Sequence, residues 1–355
     1  MPAANRTNPV SPPQPPETRR ARRDILARWR RLTGGGRDEP GKRRTLIACS
    51  GGADSTALAI TLASATSDLV LAHIRHDFRP APETAADLAA VDRLAATLGL
   101  PVAHESIAIA DAPGNAEANA RRARYAALER LADHAGCPFI ATAHHADDQL
   151  ETLIMRLARG SGVRGLSGIV ESRPTERRTL IRPMLGIERA LAEAICTERG
   201  IAWREDATNR DLSRTRAALR ANVLPELKRI VPGASGRAAE TAAVLAATAA
   251  WLDTVAADAL EHARGETDTG GADLPLVCAR LAPLPEVLLG EVIRRAAREA
   301  AGGRGADRLP RRMIDRVAQA IREQPGPPRR FTSRFVEIQV RRGIARFGAR
   351  PEEQP

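Results

Sequence analysis

From Arg44 onward the chain alternates short apolar runs with longer stretches whose apolar residues recur every three or four positions. The short runs, residues 45–49, 69–74, 101–106, 139–143 and 180–181, have the length and continuity of strands buried on both faces. Between them, residues 55–65, 83–98, 116–135, 148–159 and 188–199 carry helical spacing. This alternation predicts an α/β fold, a parallel five-stranded sheet with helices on both faces. After Pro225 the pattern changes. Residues 238–263 read as a long Ala-rich helix with Leu245, Leu252 and Leu260 along it, and 285–301 and 311–322 as two more. Val336, Ile338 and Val340 then alternate, which predicts a strand and a hairpin turning at Arg342 and Gly343. The expected organisation is a disordered Pro/Arg-rich basic tail over 1–40, an α/β domain over 41–215, and a smaller, mostly helical domain over 216–350 that ends in a hairpin. Within the tail, residues 19–32 have the alternative of a short basic helix carrying Trp29.

Charge changes this picture at one end. The formal net charge is +11, and residues 1–44 alone contribute +8, leaving only +3 for the rest. The tail is therefore the strongest sequence signal for nucleic acid or another anion. The four cysteines, Cys49, Cys137, Cys196 and Cys278, form no C-x-x-C pair, so a zinc knuckle or redox dithiol is not indicated. A cytoplasmic location is expected, because no secretory apolar core opens the chain and charged residues interrupt its long apolar stretches.

The first chemical site follows the first strand, as Ser50-Gly51-Gly52-Ala53-Asp54-Ser55. Glycines let the backbone approach an anion closely. The loop amides with Ser50 and Ser55 could cradle a phosphate at a helix N-terminus, and Asp54 could hold the accompanying magnesium. No Gly-Lys-Ser/Thr follows, so this is not a Walker loop. The second site opens the helix after the fourth strand, where His144, Asp148 and Glu151 fall at offsets of four and three. Two carboxylates on one face suit a cationic amine or magnesium, and His144 could move a proton or stabilise a phosphate. The plain alternative is N-capping by Asp147. A zinc site is the weaker choice without a His-Glu-x-x-His spacing.

Arg121 and Arg124 stand three apart, and by spacing alone they read as a solvated face paired with Glu117. Arg156 to Gly168 form a helix end and a Gly-rich basic loop, either a lid or an RNA contact through Arg159 and Arg164. Trp203, Arg204 and Asp206, then Asn209 and Asp211, lead into a helix bearing Arg216 and Arg220, which by spacing are either phosphate or tRNA contacts or plain capping and surface charge.

In this order, the motifs resemble the tRNA(Ile)-lysidine synthetase family, over roughly residues 43–225. The residues that carry the likeness are Ser50 to Ser55, His76 with Arg79, Glu117 with Arg121, Arg124 and Tyr125, His144 to Arg164, Ile181 to Leu185, and Asp206 with Asn209 and Asp211. The resemblance implies a pyrophosphate-loop fold and a two-step reaction. ATP adenylates the C2 oxygen of the wobble cytidine in an isoleucine tRNA with a CAU anticodon, releasing pyrophosphate. The ε-amine of free L-lysine then displaces AMP. By position, Ser50, Gly51, Gly52, Ala53, Asp54 and Ser55 would bind ATP, with Asp54 on Mg2+. Arg124 with Arg121 would stabilise phosphate charge, Asp148 and Glu151 would hold lysine, and His144 would assist at the adenylate. The C-terminal domain would bind tRNA, no membrane is involved, and a homodimer is compatible. Arg214 and Ala217 stand where the family has an aromatic residue and an Asn, with Arg216 kept. The competing enzyme is another pyrophosphate-loop tRNA modifier of the 2-thiolation type. The competing non-enzyme is a basic RNA-binding protein with a relic ATP loop.

Overall fold

The computed structural model describes residues 15–35, 41–76, 81–108, 116–204, 215–266, 273–303 and 309–350. The chain divides into two compact units, 1–246 and 247–355.

The first unit begins with helix α1 (Pro15–Leu32). Strand and helix then alternate through β1 (Thr45–Ala48), α2 (Ala53–Ala63), β2 (Leu69–His76), α3 (Ala81–Leu98), β3 (Val102–Ile107), α4 (Ala116–His134), β4 (Phe139–Ala141) and α5 (Ala146–Ala158). Next come α6 (Val163–Leu166), β5 (Ser172–Pro174), β6 (Thr179–Ile181) and α7 (Arg189–Glu198). Further on stand α8 (Thr215–Ala218), a π-helical turn (Leu219–Val223), α9 (Leu224–Ile230) and α10 (Ala234–Ala263), within which the first unit ends.

The sheet order is β3-β2-β1-β4-β6-β5. Five strands are parallel, as the sequence predicts, and β5 adds an antiparallel edge, Ser172 opposite Ile181. Alternate residues feed opposite faces. Ile47, Leu71 and Ile181 join a core with α2, α3 and α7, whereas Leu46, Val70, Ile140 and Leu180 pack with Leu128 and Ala132 of α4. Two buried faces explain the continuous apolar runs. The chain lays β2 and β3 on one side of β1 and β4 on the other. The β1/β4 boundary is thus the topological switch point, beyond whose carboxyl ends such sheets bind ligands.

The disordered tail expected through residue 40 is corrected over 15–32. Ala21, Ile25 and Trp29 recur every fourth residue along α1 and are buried in the same core as α2 and α7. The Trp29 Nε1–H donates to Thr45 Oγ1 (3.1 Å), Thr18 Oγ1–H donates to Glu198 (2.6 Å), and Arg28 and Arg31 pair with Glu171. Three apolar positions outweigh the surrounding arginines, because burying each large side chain contributes about 1.5–3 kcal/mol.

The expected domain division at 215/216 also moves, to Ala246/Ala247. Leu224, Leu227, Ala234 and Ala238 pack with Leu150, Leu153 and Ile154 of α5, which joins this stretch to the first unit.

The second unit holds β7 (Leu274–Val277), α11 (Cys278–Leu281), α12 (Glu286–Ala300), α13 (Arg311–Arg322), β8 (Arg329–Thr332), β9 (Val336–Arg341) and β10 (Ile344–Ala349). The hairpin turns at Arg342 and Gly343, both at positive φ (49° and 76°), as a tight right-twisting turn requires. It forms the middle of a four-stranded antiparallel sheet, β7-β10-β9-β8, so this unit carries more strand than the sequence suggests. Proline in β7 and two arginines in β8 hide those edge strands. Leu289, Val292, Ile293 and Ala296 of α12 and Ile314, Val317 and Ile321 of α13 cover one sheet face. Among the described residues α10 alone has the length and apolar composition to cross a membrane. Alanine supplies most of that character, and Ala256, Leu260 and Ala263 are buried in the second unit's core.

Candidate active site

The carboxyl ends of β1, β2 and β4 open into a cavity of about 340 Å³. Its wall at β1 is the turn into α2. Gly51 has φ +83°, a left-handed conformation that a side chain would strain. The Ser55 hydroxyl knots the turn, donating to Gly52 O (3.0 Å) and accepting the Ser50 amide (3.2 Å). Gly52 is the N-cap of α2 and offers no side-chain acceptor, so the first-turn amides keep their affinity for an anion. Asp54 Oδ1 is buried with no hydrogen-bond partner, while its Oδ2 lies 3.6 Å from His145 Nε2. A lone buried carboxylate oxygen beside an anion cradle fits a hard cation.

The wall at β4 continues through Thr142, Ala143 and His144 into α5. His145, not Asp147, is the N-cap. Its ring accepts the Asp148 amide (3.4 Å), and the Asp148 carboxylate accepts the His145 amide (3.1 Å). Asp147 instead binds the Arg189 amide (2.8 Å), Lys228 Nζ (2.5 Å) and Ser235 Oγ (3.1 Å), tying α5 to α7, α9 and α10. His145, which the sequence reading left without a role, is buried within 3.5–3.7 Å of Asp54, Asp147 and Asp148. Burial penalises its imidazolium, but the Asp54, Asp148 and Asp147 carboxylates outweigh that and raise its pKa. His144 behaves oppositely. Burial, with Arg182, Arg121 and Arg124 nearby, overcomes the pull of Asp148 and pushes its pKa down to about 3. Its ring is therefore neutral, with Nδ1 against Thr142 Oγ1 (3.0 Å).

Asp148 and Glu151 do converge, but onto a side chain of the same protein. The guanidinium of Arg220 donates to both Glu151 oxygens (2.6 and 3.1 Å) and to Asp148 Oδ1 (3.2 Å). Arg216 Nε lies 3.8 Å from Glu151, and its Nη2 donates to Thr152 (3.1 Å).

The third wall is α4, whose arginines are solvent-exposed, as the sequence reading expects. Arg121 and Arg124 line the cavity with Tyr125, over whose ring Arg121 sits at 5.2 Å and Arg173 at 5.7 Å. His73 and Asp87 line it too, and no sequence argument found them. His73 sits inside an apolar strand run, so a core role hid it. Its Nδ1–H donates to Cys49 O (2.9 Å), and burial lowers its pKa, leaving Nε2 an unprotonated acceptor. Arg204 bonds both Asp87 (3.2 Å) and, through its amide, Gly51 O (2.9 Å), which brings the end of α7's connection onto the loop.

Arg159 and Arg164 do not line the cavity. Their Gly-rich loop is tied to α5, since Arg156 donates to Gly165 O and Gly168 O, and Gln149 bonds both backbone groups of Ile169. Arg79, Asp206, Asn209, Asp211, Arg214 and the side chains of His76 and Glu117 lie outside the described residues.

The PP-loop domain family matches residues 27–227. The tRNA(Ile)-lysidine synthase of Salinispora arenicola is 38% identical over 285 residues, which cover 78% of this chain and 82% of that protein. That of Geobacter sulfurreducens is 38% identical over 243 residues, covering 64% and 50%. Among solved structures, the U34-tRNA thiolase NcsA from Methanococcus maripaludis, with its 4Fe-4S cluster, aligns with a TM-score of 0.51 at 16% identity. It covers 64% of this chain and 78% of that one, a likeness of fold.

Proposed function

From the premise that this chain belongs to the tRNA(Ile)-lysidine synthase family of PP-loop proteins, we propose how its cavity carries out lysidine formation, with named residues in each role. It is an ATP-dependent ligase acting on tRNA. The observation that supports the assignment best is the shared cavity. One space brings together the Ser50–Ser55 loop, Asp54, the arginines of α4, and His144 with Asp148.

The loop amides and Ser50 hold the ATP phosphates, so that the wobble cytidine O2 can attack the α-phosphorus as pyrophosphate leaves. Arg121 and Arg124 face the charge that gathers on the phosphates. Asp54 would hold Mg2+ through its unpartnered Oδ1, and the bound ion supplies further charge neutralisation there. No group of three metal-ligating side chains occurs among the described residues, so phosphate and water oxygens would complete the shell. In the second step the lysine ε-nitrogen bonds to C2 and the C2–O bond breaks, releasing AMP. Asp148 and Glu151 bind the lysine ammonium, and the His144 ring, held neutral by burial, assists at the adenylate as an uncharged hydrogen-bonding group.

Sulfur transfer fits less well. Cys49 and Cys196 are the cysteines near the loop, and burial raises both thiols, that of Cys196 to about 12, so neither is a ready thiolate. Incubation with ATP, labelled lysine and an isoleucine tRNA bearing a CAU anticodon, followed by nucleoside mass spectrometry, tests the reading. Labelled lysidine is expected. A thiolated nucleoside, or pyrophosphate release with no lysine incorporated, would overturn it.

A further inference from the structure

The acid pair is already occupied. Glu151 is fully buried, and the fork of Arg220 covers both of its oxygens while also reaching Asp148. Arg216 approaches from beside it. Two carboxylates thus face two guanidinium groups, so the cluster is close to neutral before any substrate enters. Another cation entering it gains little attraction and meets repulsion from Arg220. Glu151 equally cannot release Arg220 into empty space, because an unpaired buried carboxylate is strongly destabilised. The two cations must therefore exchange in one event.

We propose that Arg220 is a resident stand-in for the lysine ammonium, a specificity-determining residue that holds the carboxylates charged and in position and is displaced when lysine binds. This rests on the reading of Asp148 and Glu151 as the lysine carboxylates. Backbone geometry supplies the means of displacement. Arg220 stands in the π-helical turn Leu219–Val223, which the Leu224 amide closes onto Leu219 O. Such a turn holds one residue more than an α-turn, so it takes up a one-residue shift without unfolding the helices on either side. That shift carries the guanidinium away from α5. Arg216, one turn earlier, keeps its bond to Thr152 and leaves the pocket partly neutralised. The exchange also sets a selection rule. A ligand must bring a cation that reaches Glu151, so a neutral amino acid of similar length leaves Arg220 in place.

Steady-state kinetics of Arg220→Gln and Arg220→Lys, with lysine varied, test the displacement. Without a guanidinium to expel, Arg220→Gln should reach half-saturation at least threefold lower in lysine, a larger change than for ATP. Guanidinium chloride should inhibit that variant in competition with lysine, by refilling the vacated fork. Arg220→Lys should lie between it and the native protein. Unchanged or raised half-saturation in folded Arg220→Gln would overturn the displacement if Glu151→Gln still weakens lysine use. Unchanged lysine dependence in Glu151→Gln would instead remove the lysine site, and this inference with it. If Arg220→Gln does not fold, hydrogen exchange on the native chain decides. Saturating lysine should speed exchange of the amides of residues 219–224, and slower or equal exchange would overturn the proposal.

Discussion

At the scale of single residues, unmet and overmet polar groups mark the chemistry. Asp54 Oδ1 is buried without a partner, so Asp54→Asn should leave the fold intact while slowing AMP formation at least 100-fold. That loss corresponds to roughly 2.7 kcal/mol of barrier. Circular dichroism with a pyrophosphate-release assay checks both halves, and near-native turnover in a folded variant would dismiss the cation role. The two adjacent histidines give opposite pH signatures. His144 has a depressed pKa, so the native state refuses a proton that the unfolded chain takes near 6.5. Its contribution is present above 6.5 and is lost as pH falls toward about 3. His145 has a raised pKa, so its contribution is complete below 6.5 and is lost as pH rises through the raised value. Melting temperatures from pH 5 to 8 should show His145→Asn most destabilised at the acid end. His144→Asn should lose less than the native chain does on acidification. Most of this site was legible in the sequence. Ser50 to Ser55, His144, Asp148 and Glu151 stand in local motifs whose spacing already points to a candidate site. His73 and Asp87 were not legible, because only the sheet order brings β2 and α3 to the loop.

At the scale of elements, the loop and the first helix show where periodicity speaks and where it stays silent. The alternation of apolar runs revealed the parallel strands, since burial on both faces leaves them no polar positions. It concealed β5 and β8, which are short edges with polar or arginine side chains. In α1 the apolar stripe is only three residues deep among seven arginines and glutamate or aspartate neighbours, and composition drowned it. That stripe has a measurable weight. Trp29→Ala should cost about 3–5 kcal/mol, a large-to-small change in a packed core. Trp29→Phe should cost closer to ~1 kcal/mol for the lost bond to Thr45. Denaturant melts of the pair check the ratio, and equal small losses would mean that α1 does not contribute to the first unit's stability. At the loop, Gly51→Ala should cost ~1–2 kcal/mol for its positive φ. A thermal melt that fails to move would show that the loop relaxes around the new side chain.

At the scale of the whole molecule, charge and chain order matter most. The outer face of α1 exposes Arg19, Arg20, Arg23 and Arg30. Replacing these four with Gln leaves the buried stripe intact, which deletion of residues 1–40 would not. The change should flatten the slope of log tRNA affinity against log salt by at most about 3.6, at ~0.9 per phosphate contact. Discrimination between isoleucine and methionine tRNAs should survive, because phosphate contacts carry no sequence information. An unchanged slope across a salt series would show that α1 stays clear of the RNA. The same helix also has a history in time. Thr18 bonds Glu198, 180 residues further along the chain. A ribosome adding roughly 5–20 residues per second needs some ten to forty seconds to make that partner. Thr45 and α2 emerge early and cover part of the Ile25–Trp29 stripe, while the side that meets α7 stays open to chaperones throughout that interval. Full docking of α1 against α7 is therefore among the later steps by which the first unit closes, although α1 precedes every strand of the sheet along the chain.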